Sequence, residues 1–475
     1  MTIKIKANES NVPPRLFGTN GVRGIYGREL TLPLIIDLTY SLATYFNTGP
    51  IVVGFDGRNS SPILSNVVSA VLNAGGLDVI MAGQLPTPCL QFAAKTKKFR
   101  GGIMITASHN PPEYNGIKPC AEDGVEISRE DELKVEKIFY NHQFSKVDQT
   151  NKTFVDQNIV KEYTDKVLSL IDVEKIKSRA FKVVMDLGNG VQTLVAPYLL
   201  KKLGCQVITI NGNIDGDFPG RGPEPTVDNL SNLSNMVRDL DADFGVAYDG
   251  DGDRSLFCDE KGIIHPGDKT AAVLIKYLIN GKHNRAQIIC PINTTLNVQF
   301  VADEGNSNIV YTKVGSVEVS REMIKRNALI GLEENGGFMY GELNQVRDGA
   351  MTTALLLDML ANFSAAAKKS TTTTQFSEII GSLKNIAQFK TKFKCSSKEV
   401  ANKIVTKCLE HGSPKKIERL DGAKIWIDDE SWIMVRPSGT EPLVRMYGES
   451  ISKTLLDSKV REYTRIIESV LQNKK

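Results

Sequence analysis

The strongest constraint on the fold is a pattern that the chain repeats three times: an apolar run, a turn carrying glycine or a helix-capping residue, an amphipathic stretch, and in two of the three a second apolar run. In the first instance residues 51–56 read as a strand. Ser60-Ser61-Pro62 then supplies a cap and first-turn signal for a helix reaching Asn73, and Gly75-Gly76 stops it. In the second, residues 182–186 lead through Gly188-Asn189-Gly190 into a helix over 193–203, which ends at Gly204 before a strand over 206–210. In the third, strands over 287–291 and 308–312 flank an amphipathic segment over 296–303. Strands alternating with helices give parallel or mixed sheets covered on both faces, so three related α/β domains with mixed sheets are expected. Residues 368–374, rich in Ser, Thr and Lys, read as a linker to a smaller α+β C-terminal domain. A chain of 475 residues is too long for one core, and the expected divisions are 1–154, 155–257, 258–370 and 371–475 around a central cleft.

Four segments carry chemistry. The stretch Thr106-Ala107-Ser108-His109-Asn110-Pro111-Pro112-Glu113-Tyr114-Asn115-Gly116-Ile117-Lys118 puts a hydroxyl, an imidazole and an ammonium on one loop. It follows an apolar strand over 102–105, so Ser108 is placed at a strand's carboxyl end, where open α/β sheets bind ligands. Taken alone, a serine there is more often a turn former than a nucleophile.

In Asp249-Gly250-Asp251-Gly252-Asp253-Arg254, three carboxylates at alternate positions follow a strand-like run over 243–248. Their convergence requires a hard cation to offset repulsion, and oxygen ligands favour Mg²⁺ or Ca²⁺ over zinc. An EF-hand loop is the competing reading, since Glu260 stands at its twelfth position. Arg254 at the sixth position and a strand in place of the first helix both argue against it.

Arg436-Pro437-Ser438-Gly439-Thr440-Glu441-Pro442-Leu443-Val444-Arg445 offers two guanidinium groups, two hydroxyls and a close-approach glycine, a cradle for an anion or else a surface turn with ion-paired arginines. Gly331-Leu332-Glu333-Glu334-Asn335-Gly336-Gly337 sets hydrogen-bonding side chains on a glycine-rich turn.

Bulk charge is nearly balanced, with Lys+Arg at 58 against Asp+Glu at 55, which argues against nucleic acid or an anionic membrane as a partner. Residues 1–6 lack the apolar core of a signal peptide, and the most apolar later run, 354–361, is broken by Asp358. The seven cysteines show no Cys-x-x-Cys pairing, as expected of core thiols in a reducing compartment. A cytoplasmic location is therefore expected.

Together and in this order, the four segments resemble the α-D-phosphohexomutases, the family that includes phosphoglucomutase, phosphomannomutase and phosphoglucosamine mutase. The resemblance covers essentially the whole chain. It implies that Ser108 carries a phosphoryl group and that Asp249, Asp251 and Asp253 bind Mg²⁺ together with that phosphoserine. It implies sugar-gripping roles for Glu333 and Asn335, and a site for the untransferred phosphate at Arg436, Ser438, Gly439, Thr440 and Arg445. Arg23, within Phe17-Gly18-Thr19-Asn20-Gly21-Val22-Arg23-Gly24, is similar to the arginine that faces the serine, and His109 and Lys118 match the candidate acid and base. Two positions depart from the pattern: Leu332 stands where glycine is usual, and Gly337 where several subfamilies carry histidine. The opening segment and the Glu-Glu-Asn-Gly-Gly loop look most like archaeal-type members.

The implied reaction moves a phosphoryl group between the 1- and 6-oxygens of a hexose, through phosphoserine and a hexose 1,6-bisphosphate that turns over and also serves as activator. Mg²⁺ and cations such as Arg254 stabilise the spread charge of the transition state. Neighbouring Arg23 and Arg254 are expected to lower the Lys118 pKa and fit it for a base, in competition with His109. Partners are small-molecule sugar phosphates: glucosamine phosphate first, then mannose and glucose phosphates. A metal-assisted phosphatase and a non-enzymatic sensor are the alternatives, and the oligomeric state is open.

Overall fold

The computed structural model describes residues 15–18, 20–145, 147–148, 150–366, 375–438 and 442–472. The opening hexapeptide, the linker stretch 368–374 and three residues of the phosphate segment, Gly439, Thr440 and Glu441, lie outside the described residues.

Three sheets repeat one topology. In the first, Ile51–Phe55 is central, with Val79–Gln84 and Gly101–Ile105 parallel on either side; Tyr114–Ala121 and Val22–Ile25 then add antiparallel beyond Gly101–Ile105, and Thr153–Val155 extends the other edge. In the second, Lys182–Asp186 lies between Gln206–Ile210 and Phe244–Tyr248, followed by antiparallel Ser255–Asp259 and Ile264–His265. In the third, Ile288–Pro291 lies between Ile309–Thr312 and Ile330–Leu332, followed by antiparallel Phe338–Tyr340 and Asn344–Arg347. The serine, aspartate and sugar segments each connect the third parallel strand to its antiparallel neighbour. Three chemically distinct loops thus occupy one topological position in three related domains.

The fourth domain is an antiparallel sheet in the order Ala387–Lys394, Leu443–Ser450, Ser431–Pro437, Ala423–Asp428, Lys416–Glu418, packed against the helices Lys398–Leu409 and Lys453–Gln472.

Alternation along the central strands feeds two apolar layers. Ile51 and Val53 join one buried cluster with Ile103 and Ile105, while Val52 and Met104 face another. That second cluster continues through Tyr163, Met185, Phe257 and Ile288 to the helix Gly349–Ala366, so the first three domains share one continuous apolar core where separate cores were expected. The helix 349–366 is apolar on nearly every side because it is surrounded. Asp358, the charge that interrupts it, accepts from Tyr277 Oη at 2.8 Å and from Asp172 N at 3.0 Å. Among the described residues no helix is long and apolar enough to cross a membrane.

Two local readings are corrected. Ser60 makes no capping bond to the helix Ser61–Ala74; its hydroxyl accepts from Asn115 Nδ2 at 2.7 Å instead. The expected helix over 193–203 is a 3₁₀ turn, Val191–Leu194, followed by Ala196–Lys202, with Pro197 in the first turn, where a missing N–H costs nothing.

Candidate active site

Ser108 sits just beyond the strand Gly101–Ile105 with φ +50°, a left-handed conformation that a serine adopts only under constraint. The constraint is visible. Its N–H donates to Thr106 Oγ1 at 2.8 Å, and the buried guanidinium of Arg58 donates to the carbonyls of Ser108, Asn110, Pro111 and Tyr114 at 2.6–2.9 Å. Asp56 anchors that guanidinium at 3.1 Å and also accepts from Thr106 and Ser61. Sequence reasoning missed both Asp56 and Arg58 as framework residues, because an Asp-x-Arg after a strand carries no distinguishing signal.

The serine loop meets the aspartate loop. Ser108 Oγ donates to Asp249 Oδ2 at 2.9 Å, and a Cβ at Gly250 would lie 2.8 Å from the Ser108 carbonyl, so only glycine permits the approach. The Asp249, Asp251 and Asp253 carboxylates are all buried, with ligand oxygens within 4.8 Å of one another. Asp251 Oδ1 and Asp253 Oδ1 have no hydrogen-bond partner among the described residues. Burial and the like charges of Asp253 and Asp251 push the Asp249 carboxyl well above the ordinary range. Orphaned buried oxygens and a carboxylate forced towards its neutral form fit a divalent cation held by all three. Glu260, the EF-hand's would-be ligand, is instead occupied by Ser377.

Around this cluster, Lys118 Nζ lies 3.1 Å from Glu126, 3.3 Å from Asp253 and 3.9 Å from Asp251. Burial works against the ammonium, but those carboxylates outweigh it and hold its pKa above the ordinary value. The expected lowering by Arg23 and Arg254 is therefore corrected: Lys118 faces more negative charge than positive. His109 Nδ1 is 3.4 Å from Ser108 Oγ, and burial together with Arg254, Arg23 and Arg347 drives its pKa down to about 2. Arg23 donates to Ala107 O at 3.1 Å and Asn110 Oδ1 at 3.0 Å, and its Nε is buried without a partner among the described residues. Arg254 lies 3.6 Å from Glu224 and 3.8 Å from Asp253.

A residue not singled out from sequence joins the metal and sugar segments. Arg347, at the end of the strand Asn344–Arg347, reaches Asp253 Oδ2 at 2.5 Å and Glu333 Oε2 at 3.0 Å. Its stem explains Gly337, since a Cβ there would stand 2.3 Å from Arg347 Cδ. Asn335 accepts from Gly337 N at 3.2 Å and, with Arg254, lines a cavity of about 300 Å³ whose far wall is Lys390, Trp432 and Tyr447 of the fourth domain. On that domain Arg436 and Arg445 face one another across adjacent strands, and Arg436 pairs with Asp421 at 3.0 Å. Ser438 N donates to Leu443 O at 2.8 Å.

Four domains converging on a buried carboxylate triad, a strained serine and a polar cleft define a phosphohexomutase, an isomerase. Residues 14–146, 161–262 and 266–383 match the phosphoglucomutase/phosphomannomutase alpha/beta/alpha domains I, II and III, and residues 391–462 match the C-terminal domain. The chain belongs to the phosphoglucomutase/phosphomannomutase family. It is 38% identical over 462 residues to a phosphoglucosamine/phosphogalactosamine mutase of Sulfurisphaera tokodaii, covering 96% of this chain and 99% of that one. It is 38% identical over 461 residues to a phosphoglucomutase/phosphomannomutase of Thermococcus kodakarensis, covering 94% and 96%. The fold matches a phosphoglucomutase/phosphomannomutase family protein of Burkholderia thailandensis with a TM-score of 0.85 at 24% identity, over 96% of this chain and 97% of that one.

Proposed function

We propose that the chain interconverts hexose 6-phosphates and hexose 1-phosphates through phosphorylated Ser108, with glucosamine phosphate preferred and mannose and glucose phosphates following. The observation that carries this is the contact of Ser108 Oγ with Asp249 inside a ring of buried carboxylates. In each half-reaction the bond from phosphorus to Ser108 Oγ breaks, a bond to a sugar oxygen forms, the sugar hydroxyl loses its proton and Ser108 Oγ regains one. Lys118, held as an ammonium by Glu126 and Asp253, would donate that proton. His109 is the neutral neighbour able to accept one, and the negative charge of a phosphoserine beside it raises its basicity.

A Mg²⁺ held by Asp249, Asp251, Asp253 and the serine ester would neutralise charge on the phosphoryl oxygens. Arg23 and Arg254 add positive charge, Glu333 and Asn335 grip sugar hydroxyls, and Arg436, Ser438, Gly439, Thr440 and Arg445 hold the idle phosphate. A hexose 1,6-bisphosphate primes Ser108 and is re-formed at every turnover. All seven cysteines are free thiols, which suits the cytoplasm. The amino-sugar class comes from the printed name of the S. tokodaii relative, and the mannose and glucose phosphates follow from that of the T. kodakarensis relative, which is equally 38% identical.

Assaying the 1-phosphates of glucosamine, mannose and glucose with catalytic sugar bisphosphate tests the reading. The expected outcome is 6-phosphate formation, fastest with glucosamine; stoichiometric release of free phosphate without isomer would overturn it.

A further inference from the structure

One oxygen atom joins the fourth domain's arginine to the third domain. Asp421 Oδ2 lies 3.0 Å from Arg436 Nη2 and accepts from Val314 N at 3.0 Å. Val314 belongs to the turn between the strand Ile309–Thr312 and the helix Ser316–Arg326. The side chains of Asp421 and Arg436 are only 16% and 13% exposed, so their attraction is less screened than that of a surface pair.

The turn is built against its partner. Gly422 has φ +79°, and a Cβ there would come within 2.7 Å of Arg436 Cα and Cβ, so the Asp421-Gly422 backbone rests directly on the arginine's stem. From Val314 the contacts continue inward. Ser316 Oγ accepts from Asn20 Nδ2 at 3.3 Å, the same amide donates to Glu126 Oε1 at 3.3 Å, and Glu126 holds Lys118 at 3.1 Å. Polar contacts, joined by the short backbone stretch from Val314 to Ser316, thus run from the lysine beside the aspartate triad to the arginine of the phosphate segment, across the first, third and fourth domains.

Arg436 and Arg445 stand opposite each other on neighbouring antiparallel strands, an arrangement that like charges oppose. Asp421 fixes one end of the Arg436 guanidinium and leaves other donors for a ligand; Arg436 Nε is buried without a partner among the described residues. We propose that Asp421 is a positioning residue for phosphate recognition: its carboxylate docks Arg436 against the Val314 turn, so that the fourth domain's phosphate cradle is presented in register with the other three domains. Acting through Arg436, it makes no contact with substrate. The inference rests on the reading of Arg436 as a phosphate binder.

A purely electrostatic role predicts the opposite sign, because removing a carboxylate beside two arginines would tighten phosphate binding. Steady-state kinetics on the full-length enzyme separates the two. Asp421→Ala is expected to raise KM for the hexose 6-phosphate at least about tenfold, a loss of about 1.4 kcal/mol, with kcat within about threefold of the parent. Asp421→Glu keeps the charge but misplaces the oxygen by a methylene and is expected to raise KM as well, which preserves the test if the alanine variant does not fold. Asp421→Asn, whose amide oxygen still accepts from both donors, should stay within about threefold on both parameters. The double variant Asp421→Ala, Arg436→Ala should have the KM of Arg436→Ala alone.

An unchanged or lowered KM in the alanine and glutamate variants, or a double variant whose KM multiplies the two single effects, overturns the proposal. If Arg436→Ala raises KM while the Asp421 variants do not, this inference alone fails. If Arg436→Ala leaves KM unchanged, the assignment of the phosphate cradle fails with it.

Discussion

Ser108 Oγ donates to Asp249 Oδ2 at 2.9 Å although 141 residues separate them, and that contact sews the first domain's loop to the second's. The bond occupies the Asp249 oxygen only while the serine is a free hydroxyl. Phosphorylation would replace a donor by a dianion beside three carboxylates, an arrangement that only a cation makes tolerable.

Metal removal should therefore silence the enzyme and soften it. Saturating Mg²⁺, at about 100 times its dissociation constant, is expected to add about 2.7 kcal/mol to the unfolding free energy, read as a rise in the thermal midpoint. Chelation should abolish turnover. In Asp251→Asn, which removes one buried ligand charge, the midpoint should no longer respond to Mg²⁺; a response equal to the parent's would place the ion elsewhere.

Gly250→Ala should damage transfer selectively. The added methyl would sit 2.8 Å from the Ser108 carbonyl and push the two loops apart, at a cost of roughly 1–3 kcal/mol. We expect kcat to fall while KM for the sugar phosphate holds. Parent-like kcat would show that the serine loop is not held where the structure has it.

Arg347→Met should cost more in stability than a surface arginine. It strips buried Glu333 of its ion-pair partner and leaves buried Asp253 with Lys118 and Arg254 alone, and breaking a buried pair in this way costs about 3–5 kcal/mol. Denaturant unfolding of the variant, with and without Mg²⁺, measures it, and a loss within the range for exposed pairs, about 0–1 kcal/mol, would contradict the assignment.

Lys424 gives a pH signature far from the catalytic cluster. It is buried between the third and fourth domains, donates to Ile292 O at 2.8 Å and lies 4.2 Å from the Trp432 ring, and burial pushes its ammonium down to about 8. The folded pKa thus lies below the ordinary 10.5. Between those values the unfolded chain holds the proton and the folded chain does not, so stability rises with pH across the window, by about 3 kcal/mol at 1.36 kcal/mol per unit. Lys424→Met should lack this rise. Parallel pH profiles for parent and variant would count against a buried, depressed lysine.

The alternation of strands and helices, and the serine and aspartate loops at strand ends, were legible because each depends on local turn chemistry and periodicity. Arg58, Arg347 and Asp421 were not. Each is a single charged residue that takes its meaning from at least one partner 50 to 107 residues away, and nothing in its immediate neighbours marks it. The Lys118 environment was misjudged for a related reason: the sequence reading set Arg23 and Arg254 beside it, while nothing marked Glu126 and the aspartates as the groups that fold against its ammonium. The shared core of the first three domains escaped notice because apolar runs declare that they are buried but not against what.

The most direct measurement is peptide mass spectrometry of the purified enzyme after incubation with a hexose 1,6-bisphosphate and Mg²⁺, and again after a chase with hexose 6-phosphate. The account predicts one phosphoryl group on the peptide carrying Ser108, lost during the chase as bisphosphate forms, and none in Ser108→Ala. A peptide that stays unmodified under both conditions while the enzyme turns over would contradict it.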